Sequence, residues 1–207
     1  LLLDEPFSSL DAPTREALID DLDAVLTERH ITTVVVTHDR SEALRLGDRI
    51  AVLMGGSVRQ IGSQNEVFSS PVDEEIAAFV GVETIIPGRV RSVAGDLATV
   101  DVGEAVIETA TTLAEGSDVL VCVRPEDVVL SGTGDEAARM SARNHLTATV
   151  SRVRPSGPYV RVELDAGFPL VALITKPSLE ELSISPGAAV LATFKATAVH
   201  LIAHRRG

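Results

Sequence analysis

Two rhythms of apolar and polar positions follow one another along this sequence. In the first eighty residues, solid apolar runs alternate with stretches at helical spacing. Leu1-Leu2-Leu3 and the β-branched run Ile31 to Thr37 have the pattern of strands buried on both faces. Between them, Leu18, Leu22, Val25 and Leu26 recur at i, i+4, i+7 and i+8, which predicts an amphipathic helix. Asp11 is placed to cap that helix, and Pro13 falls in its first turn, where a missing N–H costs little. Ser41 to Leu46 predicts a short helix, and Ile50 to Met54 with Ser57 to Gly62 a hairpin around Gly55-Gly56. Asn65 to Phe68 and Val72 to Val80 read as short helical pieces divided at Pro71.

From about Gly81 the rhythm changes to short strands separated by turn residues, and it repeats. Val90, Val93, Val100 and Val102 recur 60 residues later as Val150, Val153, Val160 and Val162. Gly116, Val119-Leu120, Val123-Arg124, Val128 and Leu130 recur 71 residues later as Gly187, Val190-Leu191, Phe194-Lys195, Val199 and Leu201. The period exceeds that of most solenoid repeats, so the expected arrangement is a pair of duplicated small β-barrels, the second expanded by 11 residues. The fold class expected from the pattern is therefore α/β followed by all-β. The expected domains are residues 1–80, a first β-module over 81–135 and a second over 138–207.

Composition narrows the function. The net charge of −12 argues against nucleic acid as a main partner, because binding a phosphate backbone needs a basic surface. The single cysteine, Cys122, excludes an intrachain disulfide framework. It lies in the apolar run Val119 to Val123, which predicts a buried thiol in a reducing environment. No run approaches the roughly 18 apolar residues of a membrane span.

The chemistry sits at the ends of the apolar runs. Asp4 and Glu5 follow Leu1-Leu2-Leu3, and His38 follows Ile31 to Thr37. Two parallel strands would deliver all three to one sheet edge, where open α/β sheets hold their ligands. Leu1 to Pro6 resembles the Walker B strand of an ATP-binding-cassette (ABC) ATPase. Ser8-Ser9-Leu10-Asp11 resembles the D-loop, and Thr37-His38-Asp39 with Glu42-Ala43 the switch-histidine loop. The resemblance implies a truncated P-loop nucleotide-binding domain using ATP and Mg²⁺. Asp4 would serve the metal through water, Glu5 would polarise the attacking water, and His38 would contact the γ-phosphate edge. Asp11 would lie in the loop that crosses to the opposing subunit of a closed homodimer. Neither G-x-x-x-x-G-K-[ST] nor a Leu-Ser-Gly-Gly-type signature occurs in the chain. The stretch is accordingly expected to be a fragment that does not hydrolyse ATP alone.

Phe79-Val80-Gly81 and Val123-Arg124-Pro125-Glu126 resemble the transport-associated OB domains attached to importer ATPases, which makes the expected modules OB-like. Ser141-Ala142-Arg143-Asn144, Leu173-Ile174-Thr175 with Ser178, and Phe194-Lys195-Ala196-Thr197 resemble the molbindin domain, which binds molybdate or tungstate. A tetrahedral dianion wants several donors, charged ones above all, and no carboxylate in contact with it. Ser141, Arg143, Thr175, Ser178 and Lys195 are donors of that kind. In the resembled family such residues meet across a subunit interface.

These resemblances imply an ATP-binding subunit on the cytoplasmic face of the membrane, working with transmembrane permease subunits. Its substrate would be an oxyanion, molybdate or tungstate, and its last module a regulatory oxyanion-binding domain. Two alternatives stay open: an importer ATPase for another substrate such as sulfate, and a non-enzymatic module that binds or senses oxyanion. His30, His145, His200 and His204 lack metal-ligand spacing and are expected to be incidental.

Overall fold

In the computed structural model, which describes residues 1–133 and 140–204, the chain divides into one unit over Leu1–Pro71 and another from Val72 onward. Strands β1 (Leu2–Asp4) and β2 (Val34–Val36) open the first unit as a parallel pair, with Leu2 opposite Val34 and Asp4 opposite Val36. Helix α1 (Ala12–Arg29) joins them. Asp11 caps it by accepting from the Thr14 N–H at 3.1 Å, and His30 ends it in a left-handed conformation at φ 51°. Helix α2 (Arg40–Leu46) comes next, under an Asp39 cap. Then come the hairpin β3 (Arg49–Met54) and β4 (Ser57–Ser63), turned through Gly55 and Gly56 at positive φ, and α3 (Gln64–Ser69). Ser63 and Glu66 form a capping box at the start of α3.

Burial here departs from expectation. The β-branched run predicted to be fully buried is ordered as strand only over Val34–Val36. Val34 and Val36 remain 55% and 53% exposed, and Leu2 is 81% exposed. The cause is local: the sheet has two strands and no third among the described residues of this unit. Helix α1 behaves alike. Ile19 is its buried residue, while Leu18 and Val25 stay exposed.

The second unit begins with α4 (Glu74–Phe79), whose Ile76 and Ala77 are fully buried, so that the helix belongs with the strands after it. The structure thus divides at Pro71–Val72, against the 80/81 boundary expected from the pattern. The expected 135/138 boundary lies outside the described residues. The strands are β5 (Thr84–Ala94), β6 (Leu97–Val102), β7 (Ala105–Ala110), β8 (Asp118–Val123) and β9 (Val129–Gly132). After them come β10 (Asn144–Ser156), β11 (Tyr159–Asp165), β12 (Pro169–Thr175), β13 (Ala189–Phe194) and β14 (Val199–Ala203). A short helix α5 (Lys176–Glu181) separates β12 from β13, and 3₁₀ turns at Pro125–Asp127 and Ala196–Ala198 precede β9 and β14.

The two β-modules do not close separately. One five-stranded sheet runs β14-β8-β5-β6-β7 and the other β12-β11-β10-β13-β9. The last strand of each repeat therefore completes the sheet of the other. Valines and leucines of both sheets form one continuous core around Val100, Val121, Val162, Ala172 and Phe194. The junctions match across the repeat. Asn144, 3% exposed, accepts from the Glu108 N–H at 2.8 Å and donates to the Glu108 carbonyl at 2.9 Å. Its counterpart Thr84, 2% exposed, accepts from the Val171 N–H at 3.1 Å. Gly103 and Gly167, both at positive φ, meet where the two halves face each other. A Cβ on Gly103 would sit 2.9 Å from the Gly167 carbonyl oxygen.

The strand register also revises the repeat. Val90 pairs with Val100, whereas Val150 pairs with Leu164, so Leu164 rather than Val160 stands where Val100 does. The β10–β11 hairpin is the longer one, and α5 supplies most of the remaining expansion. Recurring valines matched the first strand of each module correctly and the second out of register.

Candidate functional site

Parallel pairing of β1 with β2 brings Asp4-Glu5 and Thr37-His38 to the same sheet edge. Glu5 leaves the strand at φ 47° while its N–H still bonds the Val36 carbonyl at 2.8 Å. This turn carries its carboxylate to His38, with Oε1 2.8 Å from Nδ1. The hydrogen bond to that carboxylate, reinforced by its charge, pushes the His38 pKa above the ordinary histidine value. The imidazole is otherwise open, with its side chain 77% exposed. Asp4 is exposed at the end of β1, beside this pair in sequence.

The loop that holds His38 is braced on both sides. The Thr37 hydroxyl donates to the buried Glu42 carboxylate at 2.5 Å and accepts from the Asp39 N–H at 3.0 Å. Asp39 caps α2, and the Ser41 hydroxyl holds its carboxyl below the usual range. Arg15 reaches it from α1, with Nη1 3.6 Å from Asp39 Oδ2, and Nη2 donates to the Leu10 carbonyl at 3.0 Å. Arg15 therefore ties Leu10, in the segment Ser8 to Asp11, to the His38 loop. No spacing in the sequence marks it for that role. Asp11 itself is engaged at the N-terminus of α1, where the Thr14 N–H and hydroxyl lower its carboxyl pKa.

In the second unit the five expected oxyanion donors fall into three places. Ser141 and Lys195 line a half-open groove of about 530 Å³, together with Ala142, Thr193, Glu126 and Asp127. Arg143 lies next to this wall, with Nε 3.6 Å from Glu108 Oε2. Thr175 caps α5, its hydroxyl 2.8 Å from the Ser178 hydroxyl. Register places that cap far from the groove: Asn144 stands opposite Phe194 at one end of β10, while Ser156 at its other end leads through Tyr159 to Thr175. Twelve strand steps of about 3.3 Å separate the two ends of β10. One chain does not gather all five donors.

His145, expected to be incidental, instead joins the walls of the groove. Its Nε2 lies 3.0 Å from the Ala142 carbonyl oxygen and its Nδ1 3.3 Å from the Thr193 hydroxyl. A neutral ring with the proton on Nε2 satisfies both contacts, donating to the carbonyl and accepting from Thr193. Cys122, in contrast, is buried in β8, and burial pushes its thiol pKa up to about 12, which leaves it inert at neutral pH.

Interlocked antiparallel sheets with a donor-lined groove define a class of accessory β-domain, and residues 140–201 match the TOBE domain. Beyond that domain, the chain is homologous over most of its length to importer ATP-binding proteins. It is 41% identical over 200 residues to the molybdate/tungstate import ATP-binding protein of Pyrococcus abyssi, a match covering 96% of this chain and 55% of that protein. It is 37% identical over 190 residues to a sulfate/thiosulfate import ATP-binding protein of Mycolicibacterium paratuberculosis, covering 90% of this chain and 45% of that one. Proteins named for spermidine/putrescine import match as well. The chain thus spans about half the length of these relatives. Among solved structures, it is similar to the cytoplasmic molybdate-binding protein ModG with molybdate bound. That match has 28% identity and a TM-score of 0.51, and covers 59% of this chain and 97% of that one. No helix among the described residues is long and apolar enough to cross a membrane.

Proposed function

We propose that this chain is part of the ATP-binding subunit of an ABC importer for an oxyanion, molybdate or tungstate, with a C-terminal domain that binds the same anion. The observation that carries the reading is the joint one. Homology to importer ATP-binding proteins spans 96% of the chain, and the parallel β1–β2 pair sets Glu5 against His38 at the edge where a nucleotide would lie.

The donor set at that edge fits ATP with Mg²⁺. A hard cation takes oxygen ligands, and Mg²⁺ keeps most of its shell for water and phosphate, so one exposed carboxylate such as Asp4 suffices. When bound, the metal would neutralise charge developing on the phosphates. Glu5 is the group able to orient a water and take its proton. His38 holds the Glu5 carboxylate in place until phosphate oxygen competes for the imidazole. Asp11 would act from its helix cap toward a second ATPase subunit. Permease subunits would anchor the assembly to the cytoplasmic face of the membrane.

For the C-terminal domain, the split placement of donors supports a site completed by a second chain. The Thr175–Ser178 end of one copy would then face the Ser141–Lys195 groove of another, with Arg143 beside it. The test is calorimetric titration of molybdate, tungstate and sulfate into the 207-residue chain, with sedimentation to follow its oligomeric state. Binding of the first two in a dimer or larger assembly, lost in Arg143→Ala and Lys195→Ala, is the expected result. Absence of heat with every anion overturns the oxyanion reading and leaves the domain structural. ATP hydrolysis is expected only from a longer chain that supplies a phosphate loop; turnover by the 207-residue chain alone would refute that division of labour.

A further inference from the structure

Strand exchange has a chemical consequence at the groove. Because β9 pairs with β13, with Val129 opposite Thr193, the residues just before β9 run beside those just after β13. Asp127, two residues before Val129, and Lys195, two residues after Thr193, both line the groove. The 3₁₀ turn Pro125–Asp127 belongs to the first repeat, whereas Ser141 and Lys195 belong to the second. The first repeat thus lends two carboxylates, Glu126 and Asp127, to a groove whose other polar groups are donors.

Carboxylates facing a bound dianion repel it unless they are protonated. Glu126 is exposed, so solvent screens its charge. Asp127 is half-buried, and its surroundings favour the neutral form. Burial contributes most to the upward shift of its pKa, the Glu126 charge adds to it, and Arg124 opposes it. Among the described residues, the groups that face Asp127 are few. Arg124 and Glu126 flank it in sequence, with Arg124 Nη1 3.5 Å from Glu126 Oε1. Lys195 lines the same groove. Strand β12, which packs against the turn, carries no titratable side chain over Pro169–Thr175, and neither do Met140, Ser141 and Ala142. His145 is bonded to the Ala142 carbonyl oxygen and to Thr193.

We propose that the groove takes up an oxyanion together with a proton on Asp127, so that the second repeat binds its ligand under control of the first. The inference rests on the oxyanion reading of the groove. The balance is simple: one dianion and one proton enter from solvent, the carboxylate becomes a carboxylic acid, and its O–H becomes a donor toward the anion. Each unit by which the anion raises the Asp127 pKa strengthens binding about tenfold once pH lies below both values.

The experiment is calorimetry of the 207-residue chain with sodium molybdate and, in parallel, sodium sulfate, across about pH 6 to 8.5, where free carboxyls, with ordinary values near 4, stay ionised. Each titration is run in two buffers of different ionisation enthalpy, so that proton uptake is read directly. Wild type is expected to bind more weakly as pH rises, with net proton uptake on binding. Asp127→Asn, isosteric and permanently neutral, is expected to bind more tightly at the upper pH, with no proton uptake and a flat pH profile. Glu126→Gln is expected to keep most of the pH slope. Wild-type binding without proton uptake, or an unchanged slope in Asp127→Asn, overturns the coupling while leaving the site intact. Absence of binding in both proteins at every pH overturns the oxyanion reading itself, and the coupling with it. Chemical denaturation of each variant checks that the fold is retained.

Discussion

Val34–Val36 and Val119–Val123 are near-identical apolar runs with opposite environments. The first is a strand whose outer valines are more than half exposed, and the second a strand whose five residues are at most 8% exposed. Strand β2 has one neighbour, β1. Strand β8 lies between β5 and β14 in a sheet packed on a second sheet. A run of valines states that a strand tolerates burial on both faces; the number of partners that reach it decides whether burial occurs. The second unit obtains those partners by exchanging β9 and β14 between its repeats.

The contrast can be broken most severely in the second unit. Phe194, 1% exposed, sits in the core shared by both sheets. Phe194→Ala is expected to cost about 3–5 kcal/mol, the usual range for emptying such a site. Denaturation followed by fluorescence of Tyr159 reads this unit specifically, because the chain has no tryptophan and no other tyrosine. Labelling of Cys122 by a thiol reagent should accelerate in parallel, since its thiol is exposed only on opening.

Asn144→Ala tests the interlock itself. It would strip the Glu108 N–H and carbonyl of their side-chain partner, for an expected cost of about 2–3 kcal/mol. Thr84→Ala, which removes one bond at the matching junction, is expected to cost about 1 kcal/mol. Equal costs for the two would show that the junctions are not the unequal locks their hydrogen bonds indicate. In the first unit, Asp11→Ala should loosen the first turn of α1 through loss of the cap, a smaller effect again. Ellipticity at the helix band reads it, and Tyr159 fluorescence should not move.

The smallest effect sharpens the site. His38 should titrate above the ordinary value of about 6.5 in an NMR experiment, and Glu5→Gln should bring it back toward that value. The sign comes from the raised pKa. The Glu5–His38 contact contributes fully below the unfolded histidine value and is lost as pH rises through the higher folded one. An unshifted His38 would mean that the pair is not held in solution.

Much of the local structure was legible from the chain alone. The Asp11 cap, the Gly55-Gly56 hairpin, the break at Pro71 and the repeat after Gly81 each rest on interactions within a few residues or on a pattern that sequence carries directly. The edge shared by Glu5 and His38 was legible too, because two apolar runs ending in polar chemistry suggest parallel strands. Residues acting at a distance were not. Arg15 reaches Leu10 and Asp39 from a helix, and His145 joins Ala142 to Thr193; neither carries a spacing that announces it.

The sequence by itself thus determined the elements, their caps and turns, the doubling of the β-module and the residue types available for chemistry, since these depend on short-range sterics and periodicity. Tertiary structure alone decided which strands were buried, which repeat each final strand completed, and how the donors were distributed. Burial and pairing are settled by partners far apart in the chain. The same long-range pairing of β9 with β13 joins the two repeats where Asp127 and Lys195 line one groove, a grouping that no local pattern encodes.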